Sequence, residues 1–252
     1  TQVENLKRQY FLWKDSTPII YNEFENENWY YYDMEYLDPD KGWSLLEESD
    51  DKVAYINSLL YSMATNVYCL RKPIDGLSWL EKHISEKINP KISSDPLKMC
   101  ENKDLYKIFN LDDLVINGRR TKSLIRCISD IDSLSFMPKW ISPIHGDLTF
   151  ENILINSTTG NVKTIDPDGS EVYDAPELEL GKMSQSLKMK YSSWTDSDWH
   201  LEDDNYIIDE RFFEEDDSVE YKALISAWSD ILVENFDHVK NKSIFFASLH
   251  LI

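Results

Sequence analysis

The 252-residue chain is short of cations, cysteines and glycines, and each shortage removes a class of function. Lysine and arginine number 26 against 46 acidic residues, a formal charge of −20. That balance argues against nucleic acid and against anionic membrane surfaces, both of which attract basic proteins. Cys69, Cys100 and Cys127 are odd in number and widely spaced, with no C-x-x-C, as expected for free thiols in a reducing compartment. No apolar run approaches the ~18 residues of a membrane span, and no signal peptide is visible, so a cytoplasmic protein is expected. His83, His200, His238 and His250 show no metal-ligand spacing with Cys or carboxylates. There is no G-x-S-x-G and no internal repeat, so a hydrolase or zinc enzyme has no support.

What is present is concentrated between His145 and Gly169. His145-Gly146-Asp147-Leu148-Thr149-Phe150-Glu151-Asn152 has the H-x-D-x-x-x-x-N spacing of a phosphoryl-transfer catalytic loop. An apolar run (Ile153-Leu154-Ile155), a polar turn (Ser157 to Asn161) and a second run (Asn161 to Ile165) follow, leading into Ile165-Asp166-Pro167-Asp168-Gly169. This order reads as a strand from Trp140 to Ile144, the loop, and a β-hairpin that delivers Asp166 beside the loop. The spacing alone would occur by chance in roughly one chain in a hundred. The ordered strand, turn, strand and Asp make accident a poor explanation. In this chemistry Asp147 accepts the proton of an attacking hydroxyl and His145 braces the loop through hydrogen bonds. Asn152 and Asp166 hold Mg²⁺, a hard cation that usually takes only one or two protein carboxylates. Asp168 is a possible second metal or acceptor contact.

At these residues the chain resembles the phosphotransferase family that includes aminoglycoside phosphotransferases and choline kinases, relatives of the protein kinases with Gly between the His and the Asp. More narrowly, Ile165 to Gly169 and Leu180-Gly181-Lys182-Met183-Ser184-Gln185-Ser186 are similar to a branch found with bacterial capsule and surface-polysaccharide genes, which carries I-D-P-R-G and D-L-A-K-L-x-x-S. Two positions depart: Asp168 replaces the Arg, and Glu179 stands where that branch has Asp. The resemblance implies an α+β, protein kinase-like two-lobed fold with a truncated N-terminal lobe (residues 1–37) and a mainly helical C-terminal catalytic lobe (residues 38–252). It implies ATP and Mg²⁺, and as partner a small hydroxylated acceptor such as a sugar, sugar alcohol or glycan. The acidic balance by itself would suit a cationic acceptor of aminoglycoside or choline type.

In that fold Val3 to Trp13 reads as helix C, Ile19 to Tyr21 and Trp29 to Tyr32 as strands, and Met34 to Leu37 as the adenine hinge. Glu4 occupies the place of the helix-C Glu, or is a solvated first-turn Glu favoured by the helix dipole. Glu35 and Leu37 offer hinge main chain to nucleotide, or are an ordinary strand end. Gly42 and Gly76 do not make a G-x-G-x-x-G, and no strand Lys precedes residue 4, so the phosphate clamp of the family is not in this sequence. An active kinase and a pseudokinase that senses nucleotide or acts as a scaffold both remain open. The start at Thr1 without Met and the apolar end, Ile244 to Ile252, read as a piece of a longer reading frame.

Elsewhere, helical spacing is expected over Asp51 to Leu70, Trp79 to Ile88, Leu124 to Ile131 and Tyr221 to Phe236, with a last helix starting near Ser243. Ile92 to Asn102 reads as a loop. Trp43, Tyr61, Tyr68 and Trp79 are expected in the core. Lys182 either braces the catalytic loop or lies on the surface. Asp196 to Glu220 is an acidic, aromatic-bearing segment, read as a solvated loop and hairpin or as a rim that attracts a cationic acceptor.

Overall fold

The computed structural model describes residues 2–25, 30–88, 114–123, 126, 133–168, 173–189, 199–202, 205–208 and 218–251. The loop expected over 92–102, nearly all of the helix over 124–131, Gly169 and most of the acidic segment 196–220 lie outside them. The described residues are a mixture of helices and small, mainly antiparallel sheets, an α+β protein. They cluster into two compact units. One comprises Thr1–Ile74, Pro138–Lys188 and Asp217–Leu251; the other comprises Asp75–Met137 and Met189–Asp216. No helix among the described residues is long and apolar enough to cross a membrane.

The first unit carries every candidate site residue. It opens with helix α1 (Gln2–Leu12), a hairpin of strands β1 (Ile20–Glu25) and β2 (Tyr30–Met34), and strand β3 (Trp43–Leu45). Helix α2 (Lys52–Asn66) is capped by the Asp51 carboxylate, which accepts from Ala54 N–H, and buries Ile56, Leu59, Leu60 and Met63. Their i, i+3, i+4, i+7 spacing makes one apolar stripe. A 3₁₀ turn at Tyr68–Leu70 ends the helical run near the expected boundary.

The second unit contains helix α3 (Gly76–His83), which continues as a π-turn over Ile84–Ile88. It also holds a four-stranded sheet of Leu114–Ile116, Arg119–Thr121, Trp199–Glu202 and Asn205–Ile208.

In the first unit, the strand Trp140–Pro143 leads into the loop of interest, and Ile153–Asn156 pairs antiparallel with Val162–Thr164 in the expected hairpin. Asn156 makes the turn: its Oδ1 accepts from Thr158 and Thr159 N–H, an Asx turn that closes the loop locally. Its Nδ2 donates to Lys41 O, tying the hairpin to the segment before β3, which pairs with Ile153–Asn156 on the other edge. Gln9 Nε2 donates to the Thr164 hydroxyl, which donates in turn to Ser16 O, so α1 is fastened to the same hairpin.

Three helices close the unit: α4 (Glu177–Leu187), α5 (Val219–Leu232) and α6 (Phe236–Leu251). The last begins seven residues before the expected start near Ser243. The core joins α2, the loop and α5 through Ile56, Leu60, Met63, Leu148, Phe150, Ile153, Leu224 and Trp228. Of the four aromatics expected there, Tyr68 is buried at 3% exposure and Trp43 and Trp79 are half-buried. Tyr61 is 74% exposed and is not a core residue.

Gly181 lets α4 approach α6: a Cβ there would meet Phe246 main-chain carbon at 2.7 Å. Gly181→Ala is therefore expected to destabilise the chain by about 1–3 kcal/mol through overpacking, despite alanine's better helix propensity. A urea melt unchanged or shifted upward would contradict that packing.

Candidate active site

The loop 145–152 is built on buried apolar anchors and a left-handed glycine. Leu148 and Phe150 are at most 2% exposed and hold its far side in the core. Gly146 has φ +87°, and a Cβ on it would sit 2.5 Å from Asp168 O. Only glycine takes that backbone angle without strain, and only glycine leaves room for Asp168 to pass. Here the Gly between His145 and Asp147 has a physical reason, and it brings the loop against the Asp166–Asp168 segment.

His145 is 2% exposed. Its Nε2–H donates to Ile165 O at 2.9 Å, while Nδ1 accepts from Asp147 N–H at 3.3 Å. That pair of bonds requires the neutral imidazole. Burial holds its pKa down to about 4, against the opposing pull of the Asp147 carboxylate. His145 thus links the Asp147 end of the loop to the segment that carries Asp166.

Asp147 is held on both carboxylate oxygens. Asn152 Nδ2 donates to Asp147 Oδ2 at 3.0 Å and to Asp147 O at 2.8 Å. Lys182 Nζ lies 2.9 Å from Asp147 Oδ1. With both its amide bonds spent on Asp147, Asn152 keeps Oδ1 without a hydrogen bond among the described residues. Ile165 N–H donates to Asn152 O at 2.9 Å, so Asp166 follows directly on a residue bonded to Asn152. Asp166 is exposed with φ +56°, a left-handed conformation that Asp tolerates better than most residues. Pro167 is buried and Asp168 exposed.

Helix α4 supplies a second tier that the sequence reading weighed only in part. Glu179, Lys182 and Ser186, at i, i+3 and i+7, share one helical face turned to the loop. Glu179 accepts from Gly146 N–H at 2.5 Å, Lys182 meets Asp147, and Ser186 Oγ accepts from Phe150 N–H at 2.9 Å. Glu179 is fully buried, and burial pushes its pKa up to about 8 although the bond from Gly146 pulls the other way. The spacing of these three polar residues, set among Leu178, Leu180 and Met183, is the signal that would have found them.

The two buried groups give opposite pH dependences. His145 has its pKa lowered from 6.5 to about 4, so its share of stability is present above 6.5 and lost as pH falls through 4. Glu179 has its pKa raised from 4.5 to about 8, so the folded chain binds the extra proton and its share is lost as pH rises through 8. Glu179→Gln keeps an acceptor for Gly146 and removes the titration. Urea melts between pH 5 and pH 8 should show wild type losing stability relative to this variant as pH rises; parallel curves would contradict the buried protonated carboxyl.

Among the described residues no hydrogen bond or ion pair joins Glu35 or Leu37 to this constellation. Glu35 N–H donates to Ile19 O, and its carboxylate pairs with Lys163 Nζ at 2.5 Å and accepts from Ile19 N–H. Leu37 is half-buried, and Glu4 is exposed on α1. Beside Glu4, Asn5, Arg8 and Gln9 line a cleft together with His145, Pro167 and Asp168. Among the described residues no group of three or more His, Cys, Asp or Glu side chains converges to hold a metal by itself. Asn152 and Asp166 offer hard oxygen donors of the kind Mg²⁺ accepts when water and phosphate supply the rest. No protein-family model matches the chain, and no curated protein matches it.

Proposed function

We propose that this chain is a phosphotransferase of protein kinase-like fold, with residues 1–37 as the end of a small lobe. It moves the γ-phosphate of ATP to a hydroxyl of a small molecule, a sugar, sugar alcohol or glycan. The observation that carries this reading is the Asp147 carboxylate, partly exposed yet fixed through Asn152 and Lys182, next to the turn that presents Asp166. A carboxylate fixed on both oxygens and still open to solvent is a positioned proton acceptor.

The chemistry follows from those positions. Asp147 orients the acceptor hydroxyl and takes its proton as the oxygen attacks. The new oxygen–phosphorus bond forms as the bond from the γ-phosphorus to the bridging oxygen breaks, and its electron pair leaves on ADP. Asn152 Oδ1 and the Asp166 carboxylate would hold Mg²⁺, which when bound neutralises phosphate charge. His145, neutral and buried, keeps the Asp147 and Asp166 segments in register. Glu179 and Ser186 fix the loop main chain from below.

The test is transfer of label from γ-labelled ATP to a panel of hydroxylated acceptors, sugars first, then aminoglycosides and choline. Label on any of them supports the reading, and which one accepts separates a glycan-directed enzyme from a cation-directed one. Nucleotide binding without transfer to any acceptor would favour a nucleotide-sensing or scaffolding domain.

A further inference from the structure

The loop 145–152 and the segment 165–168 contain four acidic side chains, Asp147, Glu151, Asp166 and Asp168, and no Lys or Arg. A strongly anionic nucleotide brought to such a surface needs a cation besides a metal ion. Lys182 is placed to be one. It stands on α4 between Gly181 and Met183, both buried, with a side chain 20% exposed, so its stem is enclosed and only its head reaches the site. Its Nζ is 2.9 Å from Asp147 Oδ1. A hydroxyl donating to Oδ1 would sit ~2.7 Å from that oxygen. The phosphorus it attacks would lie ~3–3.5 Å beyond. With the hydroxyl on the ammonium's side of Oδ1, that ammonium can reach an oxygen of the transferring group.

We propose that Lys182 is the phosphate-contacting cation of this site, bridging Asp147 Oδ1 and the terminal phosphate of a bound nucleoside triphosphate. The proposal rests on the phosphotransferase reading. In the transfer step it stabilises the oxygens of the moving phosphoryl group while the hydroxyl proton passes to Asp147 and the electron pair leaves on the diphosphate. A cation held on a packed helix gives this contact with little ordering left to do. The departure at Asp168 then costs the site less, because a positive charge arrives from α4.

Calorimetric titration of the full chain with Mg-ATP and with Mg-ADP tests it, in wild type, Lys182→Gln and Lys182→Arg. Gln can still donate to Asp147 and keep the loop in place, but it carries no charge. Lys182→Gln is expected to weaken Mg-ATP binding by roughly tenfold, the effect of one charged hydrogen bond, and to leave Mg-ADP within about twofold. Lys182→Arg should retain most of the preference for the triphosphate. Equal losses for both nucleotides, or no loss for either, would overturn the proposal and leave the phosphotransferase reading standing. Should the Gln chain melt early, the same titrations run well below its melting temperature give the comparison. A wild type that binds neither nucleotide sinks the reading itself, and the Lys182 assignment falls with it.

Discussion

Asp147→Asn is expected to lower phosphoryl transfer by ~10²–10⁴-fold while Mg-ATP affinity stays within about twofold. The reason lies in the donors that surround it. Asp147 Oδ1 faces the Lys182 ammonium and Oδ2 faces the Asn152 amide, two donors against two acceptors. An asparagine amide has one oxygen and one NH₂ group, so it satisfies either Lys182 or Asn152 and sets N–H against N–H at the other. It also cannot take a proton from a hydroxyl. The base is lost and the loop loosens locally, but His145, Glu179 and Ser186 still hold its main chain. Asp166→Ala should behave differently and remove metal-dependent nucleotide binding along with turnover. Steady-state rates beside binding isotherms distinguish the two. Full rate in Asp147→Asn would contradict the catalytic-loop assignment.

The largest expected effect on stability is at Lys242, whose side chain is 1% exposed. Its Nζ lies 3.3 Å from Glu177 Oε1 and 3.0 Å from Glu234 Oε2. Burial pushes Glu177 up. It pushes Glu234 the same way, but hydrogen bonds from Lys139 and Lys242 outweigh it and hold that carboxyl low. Removing one partner of a buried ion pair strands the others in a poor solvent, at a cost of about 3–5 kcal/mol. Lys242→Met should lose that much in urea denaturation, and adding Glu177→Gln should recover part of it. Glu177 begins α4, the helix that carries Glu179, Lys182 and Ser186, so the loss should also loosen the site. A loss below about 1 kcal/mol would mean the cluster relaxes into solvent.

The hairpin at 153–164 and the loop before it were legible because their cues are local. Strand runs, a polar turn and a fixed spacing need no knowledge of distant packing. The α4 tier was legible only in part. Lys182 was a candidate brace and Glu179 a departure from the resembled branch, but that Glu179 is buried against a loop amide was decided by the fold. The start of α6 was misplaced for a related reason. Asp237 to Lys242 is mostly polar and reads as a connector, yet Lys242 is buried against acids from α4 and the α5–α6 turn. Tyr61 erred the other way: it falls on the outer side of α2, off the stripe of Ile56, Leu59, Leu60 and Met63. Local pattern gives element and register; which charged group is buried is decided by partners far along the chain.

The most direct test of the central claim is a calorimetric titration of ATP into the full chain, with and without Mg²⁺, repeated on Asp166→Ala. Binding that requires Mg²⁺ and disappears in the variant is the predicted result. No heat at millimolar ATP, or equal binding with and without metal in both chains, would contradict it.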